Sequence, residues 1–147
     1  MSGCLCNFPC RYDGTRFRDS RFLDLVHSGK AVPVCPEVLG GLSTPRPPSE
    51  ILQTETGLRV VNVLGQDVTG EYMLGASIAL DIGLQAGCRK AILKARSPAC
   101  GFGSVYDGTF RRNLVQGHGI FAKLLERHGF RIYTDETFPT PSRKEHR

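Results

Sequence analysis

The residues of this 147-residue chain that are best suited to chemistry are its six cysteines. Three of them lie in distant segments, at Cys4, Cys35 and Cys100. No pair of cysteines has the C-x₂-C spacing of a zinc ribbon, which counts against a structural zinc site. Cysteines dispersed over loops suit an iron–sulfur cluster, because its irons bind thiolates. The alternative is that the thiols are small buried hydrophobic groups that bind nothing.

The elements that must position these thiols follow from the apolar periodicity. Residues recurring at three- and four-residue steps predict helices over Val68–Ala86 and Ile120–His128. Short strand-like runs, Lys90–Lys94 and Phe130–Thr134, follow them. This alternation predicts an α/β fold with a mainly parallel, Rossmann-like sheet flanked by helices. Ligands of such sheets bind at the carboxyl ends of strands, so we expect the cysteines to meet there.

The first half of the chain predicts shorter elements. Arg21–His27 reads as a helix, and Ala31–Cys35 and Leu58–Val63 read as strands. The long irregular stretch Pro36–Ser49 between these strands is of a length that often serves binding or acts as a lid. We expect one domain over residues 1–137 and a basic, flexible tail over 138–147.

The composition is that of a globular protein, with 40% hydrophobic and 22% charged residues. Residues 142–147 contribute +2 of the net charge of +5, from Arg143, Lys144 and Arg147 against Glu145. The remaining +3 is too small to indicate a nucleic-acid-binding protein. The sequence has no run of about 18 apolar residues and no secretory leader, so we expect no membrane partner and a cytoplasmic location.

Five blocks of sequence are specific enough to compare with known families. They are Cys4-x₅-Cys10-Arg11-Tyr12-Asp13-Gly14, VPVCPEVLGGLSTPR over 32–46, Gly65-x-Asp67-Val68-Thr69, AILKARSPACG over 91–101, and VYDGTF over 105–110. In this order, they resemble the thiouracil desulfurase family, and the likeness runs from Cys4 to Asp135. The VCPEVLGGL and SPxCG blocks are the longest and most specific part of it.

The resemblance implies an enzyme that converts thiouracil and water to uracil and hydrogen sulfide without net electron transfer. It implies a 4Fe-4S cluster bound by Cys4, Cys35 and Cys100, whose fourth iron is open to the substrate's sulfur. It also implies catalytic roles for Glu37 and Ser97.

Each of these two residues also has a structural alternative. Beside a strand end, Glu37 is expected to be desolvated, with a raised pKa that suits a general base. Its alternative is a structural ion pair with Arg46 or Arg96. Ser97 is expected to hydrogen-bond the thiobase or the water, and its alternative is to cap the turn at Pro98.

Two other functions remain open at this stage. If Cys6 or Cys10 occupied the fourth iron, the domain would be a non-catalytic iron–sulfur sensor. The same desulfuration could instead act on thiouridine in RNA, although a small thiobase is the favoured partner. Cys88 is predicted to be a small buried residue whose thiol binds no metal. The sequence does not indicate the preferred thiobase or the oligomeric state.

Overall fold

The computed structural model describes residues 1–17 and 19–139. Its helices are a 3₁₀ turn at Gly3–Leu5, α1 at Ser20–His27, α2 at Pro36–Leu39, α3 at Thr69–Gln85 and α4 at Ile120–Arg127. Its strands are β1 at Ser49–Thr54, β2 at Gly57–Asn62, β3 at Lys90–Leu93, β4 at Phe102–Tyr106, β5 at Leu114–His118 and β6 at Arg131–Thr134. No helix in these two ranges is both long and apolar enough to cross a membrane.

The strands pair two by two, and most of the pairing is antiparallel. β1 pairs with β2 and β4 with β5 in the antiparallel sense, whereas β3 and β6 are parallel. The predicted α/β fold is confirmed, but the prediction of a mainly parallel sheet is wrong for the described residues. The reason lies in the connections: β1 and β2 are joined by a two-residue turn, which only antiparallel strands allow. The link from β3 to β6 is long enough for a crossover and includes α4.

The predicted helices are confirmed to within a residue or two at each end. At the start of α3, the Asp67 side chain accepts a hydrogen bond from the Thr69 backbone N–H at 2.9 Å. At its far end, Gly87 adopts a φ of 75°, a left-handed conformation that favours glycine and ends the helix. The strands β1, β4 and β5 were not predicted. The predicted strand over 31–35 is reduced to a single parallel bridge between Val34 and Ser2.

The first residues of the chain lie between two other segments. The Ser2 N–H donates to Ile92 O at 2.9 Å, and the Gly3 N–H donates to Val34 O at 2.7 Å. These bonds attach the N-terminal segment to β3 on one side and to residues 32–34 on the other. Because Cys4 and Cys35 directly follow these paired positions, they come out on the same side of the molecule.

The main core forms where α3 packs on α4 and on the strands. It includes Tyr72, Ala76, Leu93, Phe121 and Leu125, all nearly or fully buried. A smaller cluster of Leu5, Phe22 and Ile92 lies beside it, and Phe138 packs on Phe22 at a ring distance of 6.0 Å. Residues 140–147, most of the predicted tail, lie outside the described residues.

The closest approach between helices is the packing of α2 on α3. A Cβ at Gly40 would collide with the carbonyl oxygen of Glu71, and a Cβ at Gly75 would collide with that of Pro36. Only glycine therefore fits at both positions without a steric clash. The two backbones are in direct contact, which fixes α2 and the residues at its start relative to α3.

We expect Gly75→Ala to destabilise the protein, because its methyl group has to displace backbone. The predicted loss is about 3 kcal/mol of unfolding free energy, measured by denaturant titration. Gly83→Ala in the same helix is the matched control, since its Cβ would lie 3.9 Å from the Phe130 ring, an ordinary contact. Alanine there should be neutral or stabilise by about 0.5–1 kcal/mol. Equal effects of the two substitutions would contradict the role given to this contact.

Candidate functional site

The five residues singled out in the sequence line one pocket. This pocket has a volume of about 460 Å³ and is bordered by Cys4, Cys35, Cys100, Glu37 and Ser97. Such a volume is in the range of small-molecule and cofactor sites. Three chain segments that are far apart in sequence therefore contribute a thiol each to the same space.

Local backbone structure fixes each of the three thiols. Cys4 lies in the 3₁₀ turn, and Cys35 is the residue that precedes the first turn of α2, where Pro36 starts the helix. Cys100 lies in a tight turn after β3. Ser97 Oγ accepts hydrogen bonds from the backbone N–H groups of Ala99 and Cys100 at 3.2 and 3.1 Å. This capping is the structural alternative considered for Ser97, and its O–H remains available as a donor.

Two of these thiols have raised pKa values. A hydrogen bond with Cys10, followed by burial, raises the pKa of Cys35. Burial raises the pKa of Cys100 to about 12, although a hydrogen bond from Ser2 acts in the opposite direction. Both thiols are therefore protonated at neutral pH in the absence of a metal. Because thiolate is the form that binds metal, these thiols would have to release their protons to bind one.

The donor set fits a cluster better than a single ion. Within residues 1–17 and 19–139, no three His, Cys, Asp or Glu side chains lie close enough together to bind one metal ion. A cluster places its irons apart and lets each thiolate bind a different one. The separated thiols of Cys4, Cys35 and Cys100 around one pocket suit that requirement.

Glu37 has two strong partners in the structure. Its Oε1 accepts hydrogen bonds from Arg46 Nε at 3.1 Å and from the Tyr72 hydroxyl at 2.6 Å. The Arg46 side chain is only 5% exposed and that of Glu37 15%. The alternative of a structural pair with Arg46 is thus present, and the expected desolvation of Glu37 is offset by a charged partner.

The other carboxylate oxygen of Glu37, Oε2, accepts no hydrogen bond from the described residues. Glu37 lines the pocket, and its side chain is partly exposed there. The ion pair with Arg46 therefore uses Oε1, and no described residue competes with a water molecule or a ligand for Oε2.

Several pocket residues were not singled out from the sequence. Tyr72 lies inside α3, where its position in the apolar repeat indicated a core residue. Burial raises its pKa, so its hydroxyl stays protonated and acts as a donor to Glu37. Ser2 is buried at the pocket wall, and its Oγ accepts the Lys94 N–H at 3.0 Å. No sequence signal distinguished either residue, because both roles depend on tertiary packing.

Comparison with known proteins identifies the family. A sequence model of the family described as 2-thiouracil desulfurase matches residues 1–137. The chain belongs to the 2-thiouracil desulfurase family.

Two relatives of this family support the assignment. An uncharacterized protein of Bacillus subtilis (strain 168), YbbK, is 39% identical over 142 residues, which cover 92% of this chain and 93% of that protein. A solved structure titled 4Fe-4S-dependent thiouracil desulfidase TudS is 42% identical, with a TM-score of 0.86. The match covers 94% of this chain and 90% of that one. The family predicted from the sequence blocks is therefore confirmed.

The remaining cysteines of this desulfurase-family chain are placed very differently. Cys6 is buried outside the pocket lining, with its Sγ 3.2 Å from Met1 Sδ. Cys88 also lies outside that lining. Cys10 borders the pocket, and Arg46 donates to its carbonyl oxygen at 2.7 Å. A hydrogen bond with Cys35 lowers the pKa of the Cys10 thiol. A hydrogen bond with Cys4 and burial act in the opposite direction, and the pKa of Cys10 is raised to about 11 overall.

Two further arginines from the family-like motifs also border the pocket. Arg96 pairs with Glu136 at 2.6 Å, with the two side chains 36% and 53% exposed. Arg11 lies at the pocket wall beside Tyr12. Arg96 therefore pairs with Glu136, and Arg46 is the partner of Glu37.

We expect the pair of Glu37 and Arg46 to contribute strongly to stability. Arg46→Gln leaves a half-buried carboxylate without its charged partner and should cost about 3 kcal/mol of unfolding free energy. Adding Glu37→Gln to Arg46→Gln should recover part of that loss. The matched control is Arg59→Gln, because Arg59 and Asp67 are 49% and 55% exposed and 4.0 Å apart. The control should cost less than about 0.5 kcal/mol. If the losses of unfolding free energy in Glu37→Gln and Arg46→Gln simply added up in the double variant, this coupling would be contradicted.

Proposed function

We propose that this chain is a 4Fe-4S-dependent thiouracil desulfurase that converts thiouracil and water to uracil and hydrogen sulfide. The observation that carries the proposal is the convergence of Cys4, Cys35 and Cys100 with Glu37 in one pocket. The proposed functional unit is residues 1–137, with 138–147 as a basic tail. The proposed partner is a small thiobase, and the proposed location is the cytoplasm, where thiols stay reduced.

Cys4, Cys35 and Cys100 are the proposed ligands, one from each segment that borders the pocket. When bound, such a cluster supplies an iron that can accept a soft sulfur ligand and act as a Lewis acid on the C=S bond. The turn capped by Ser97 and the first turn of α2 hold two of the ligands on rigid backbone. The third ligand follows the N-terminal segment that is hydrogen-bonded between Val34 and Ile92.

Glu37 is the proposed general base. Its Oε1 is held by Arg46 and Tyr72, so the carboxylate cannot rotate freely, and Oε2 has no donor among the described residues. Oε2 takes a proton from the water as the water oxygen bonds to the thiocarbonyl carbon. As the C–S bond breaks, the added oxygen loses its remaining proton and becomes the carbonyl oxygen of uracil. The sulfur is released as hydrogen sulfide with both protons of the water, one of them returned by Glu37. No electron is gained or lost overall.

Ser97 is the proposed hydrogen-bond donor to the substrate or to the water. Both of its hydrogen bonds in the structure use Oγ as an acceptor, from Ala99 and Cys100. Its O–H can therefore still donate a hydrogen bond from the same turn as a proposed ligand. The capping role and the donor role use different parts of the hydroxyl and are compatible.

The assay that tests the function is anaerobic reconstitution with iron and sulfide, followed by measurement of sulfide release. We expect release from 2-thiouracil and a much smaller signal from an RNA that contains 2-thiouridine. The reverse order would favour the RNA substrate. Cluster assembly without sulfide release from either compound would favour the sensor.

The ligand set is tested with single alanine substitutions. Cys4→Ala, Cys35→Ala and Cys100→Ala should each lose most bound iron and the iron–sulfur absorbance. Cys88→Ala is the control outside the pocket, and Cys10→Ala is the control within it. Both should retain the cluster. Loss of iron in Cys10→Ala but not in Cys4→Ala would overturn the assignment.

Glu37→Gln should lower turnover by at least about a hundredfold, because the amide cannot take a proton from water. Ser97→Ala should have a smaller effect, since it removes a hydrogen bond rather than a base. Each variant is first checked for full iron content and then assayed for sulfide release. Near-wild-type turnover by fully loaded Glu37→Gln would remove the general-base role.

A further inference from the structure

The loop between β4 and β5, residues 107–113, borders the same pocket. Phe110 and Arg112 of this loop line the pocket. Neither residue has a role in the mechanism described above. The loop is held in place by hydrogen bonds to β1 and by hydrogen bonds within the loop itself.

A single carboxylate oxygen on β1 holds the loop. Glu50 Oε1 accepts hydrogen bonds from the backbone N–H groups of Gly108 at 3.0 Å and of Phe110 at 3.1 Å. Gly108 lies against the β1 backbone, where an added Cβ would be 2.9 Å from Ile51 O. The loop therefore docks on β1 through both its backbone N–H groups and a close backbone contact.

Contacts within the loop fix its shape further. Asp107 Oδ1 accepts hydrogen bonds from the Thr109 backbone N–H at 3.0 Å and from the Thr109 hydroxyl at 2.6 Å. The Asp107 N–H donates to Asn113 O at 3.0 Å, which closes the base of the loop. The loop is thus tied at its base, at its middle and to the neighbouring strand.

These contacts hold two residues in an unfavourable backbone conformation. Phe110 has a φ of 57° and Arg112 a φ of 60°. Residues other than glycine, and bulky ones in particular, seldom adopt this left-handed region. Such strain persists where the surroundings over-determine it, and it concentrates at ligand-binding sites. Here the strained residues are the two that border the pocket.

We propose that Phe110 is a substrate-contact residue whose ring packs on the flat face of the thiopyrimidine, and that Glu50 is the positioning residue that holds it there. The inference rests on the proposed function, because it takes a planar heterocycle as the ligand. An aromatic ring stacks well on a nucleobase because both have polarisable, apolar faces. Without the Glu50 contact, the backbone at Phe110 would relax toward negative φ and move the ring.

The experiment compares four variants of the cluster-loaded enzyme. Phe110→Leu keeps an apolar side chain but loses the flat ring, and Phe110→Tyr keeps the ring. Glu50→Ala removes both hydrogen bonds, and Glu50→Gln keeps an acceptor oxygen. Glu55→Ala is the matched control, since this exposed glutamate lies in the turn between β1 and β2. Iron content, kcat and KM are measured for 2-thiouracil, with the affinity for uracil measured by calorimetry.

We expect Phe110→Leu and Glu50→Ala to raise KM and weaken uracil binding by about tenfold, with iron content retained and kcat little changed. Phe110→Tyr, Glu50→Gln and Glu55→Ala should stay close to wild type. Amide hydrogen exchange of residues 107–113 should accelerate in Glu50→Ala alone.

Unchanged KM and uracil affinity in Phe110→Leu would overturn the contact role of the ring. Faster exchange in Glu50→Ala with unchanged KM would overturn the positioning role of Glu50. If the wild-type enzyme released no sulfide, the proposed function would fail instead, so the two failures are distinguishable. Loss of iron in Glu50→Ala would overturn its positioning role and show that Glu50 supports the fold. The contact role of the Phe110 ring would then be judged from KM and uracil affinity in Phe110→Leu.

Discussion

The backbone contact between α2 and α3 at Gly40 and Gly75 is the constraint on which the site depends. Cys35 and Glu37 lie at the start of α2, and Tyr72 lies one turn before Gly75 in α3. Because Gly40 and Gly75 have no side chain, the two backbones touch there, and the Tyr72 hydroxyl reaches Glu37 at 2.6 Å. A wider spacing would break this hydrogen bond and shift Cys35 relative to Cys4 and Cys100. A contact made of glycines therefore sets the geometry of a thiol and a carboxylate.

The electrostatics of the pocket follow from the same packing. A hydrogen bond with Cys10 and burial raise the pKa of Cys35, and burial raises the pKa of Cys100, so both thiols are neutral in the absence of metal. In the same pocket lining, Glu37 pairs with Arg46, and Arg46 also donates to the Cys10 carbonyl oxygen at 2.7 Å. Arg46 thus compensates the buried carboxylate and ties the N-terminal loop to α2. A neutral set of thiols beside a paired carboxylate avoids an isolated buried charge, which would cost several kcal/mol.

The helices were predictable because their signals are local. Apolar periodicity and the Asp67 and Gly87 end signals were sufficient to place α3. The sheet was not predictable in the same way, because the antiparallel pair of β4 and β5 interrupts the helix–strand alternation of the second half. In the first half, β1 pairs with β2 across a tight turn, and that pairing is antiparallel. The strand β1 directly follows a proline-rich stretch that is typical of a loop, and it was not predicted.

The same distinction applies to the site. Cys35, Glu37, Ser97 and Cys100 lie in contiguous blocks, so their motifs and their positions next to strands were visible along the chain. The sequence did not show that Glu37 pairs with Arg46 rather than Arg96. That pairing depends on how the loop after α2 folds back onto the helix. Tyr72 belonged to an apolar repeat that predicts a core position, and most of its ring is indeed core. Its hydroxyl has a polar role only because α2 lies against that helix.

Two parts of the pocket lining are held by different interactions. Around the proposed ligands, a 3₁₀ turn, a helix start and a turn capped by Ser97 set the backbone. In the loop over 107–113, Glu50 and Asp107 accept hydrogen bonds from backbone N–H groups, and Gly108 packs against β1. These restraints hold Phe110 and Arg112 in a strained backbone conformation. Because such strain persists only where the surroundings over-determine it, the shape of this loop depends on those contacts, whereas the turns that carry the thiols are restrained separately.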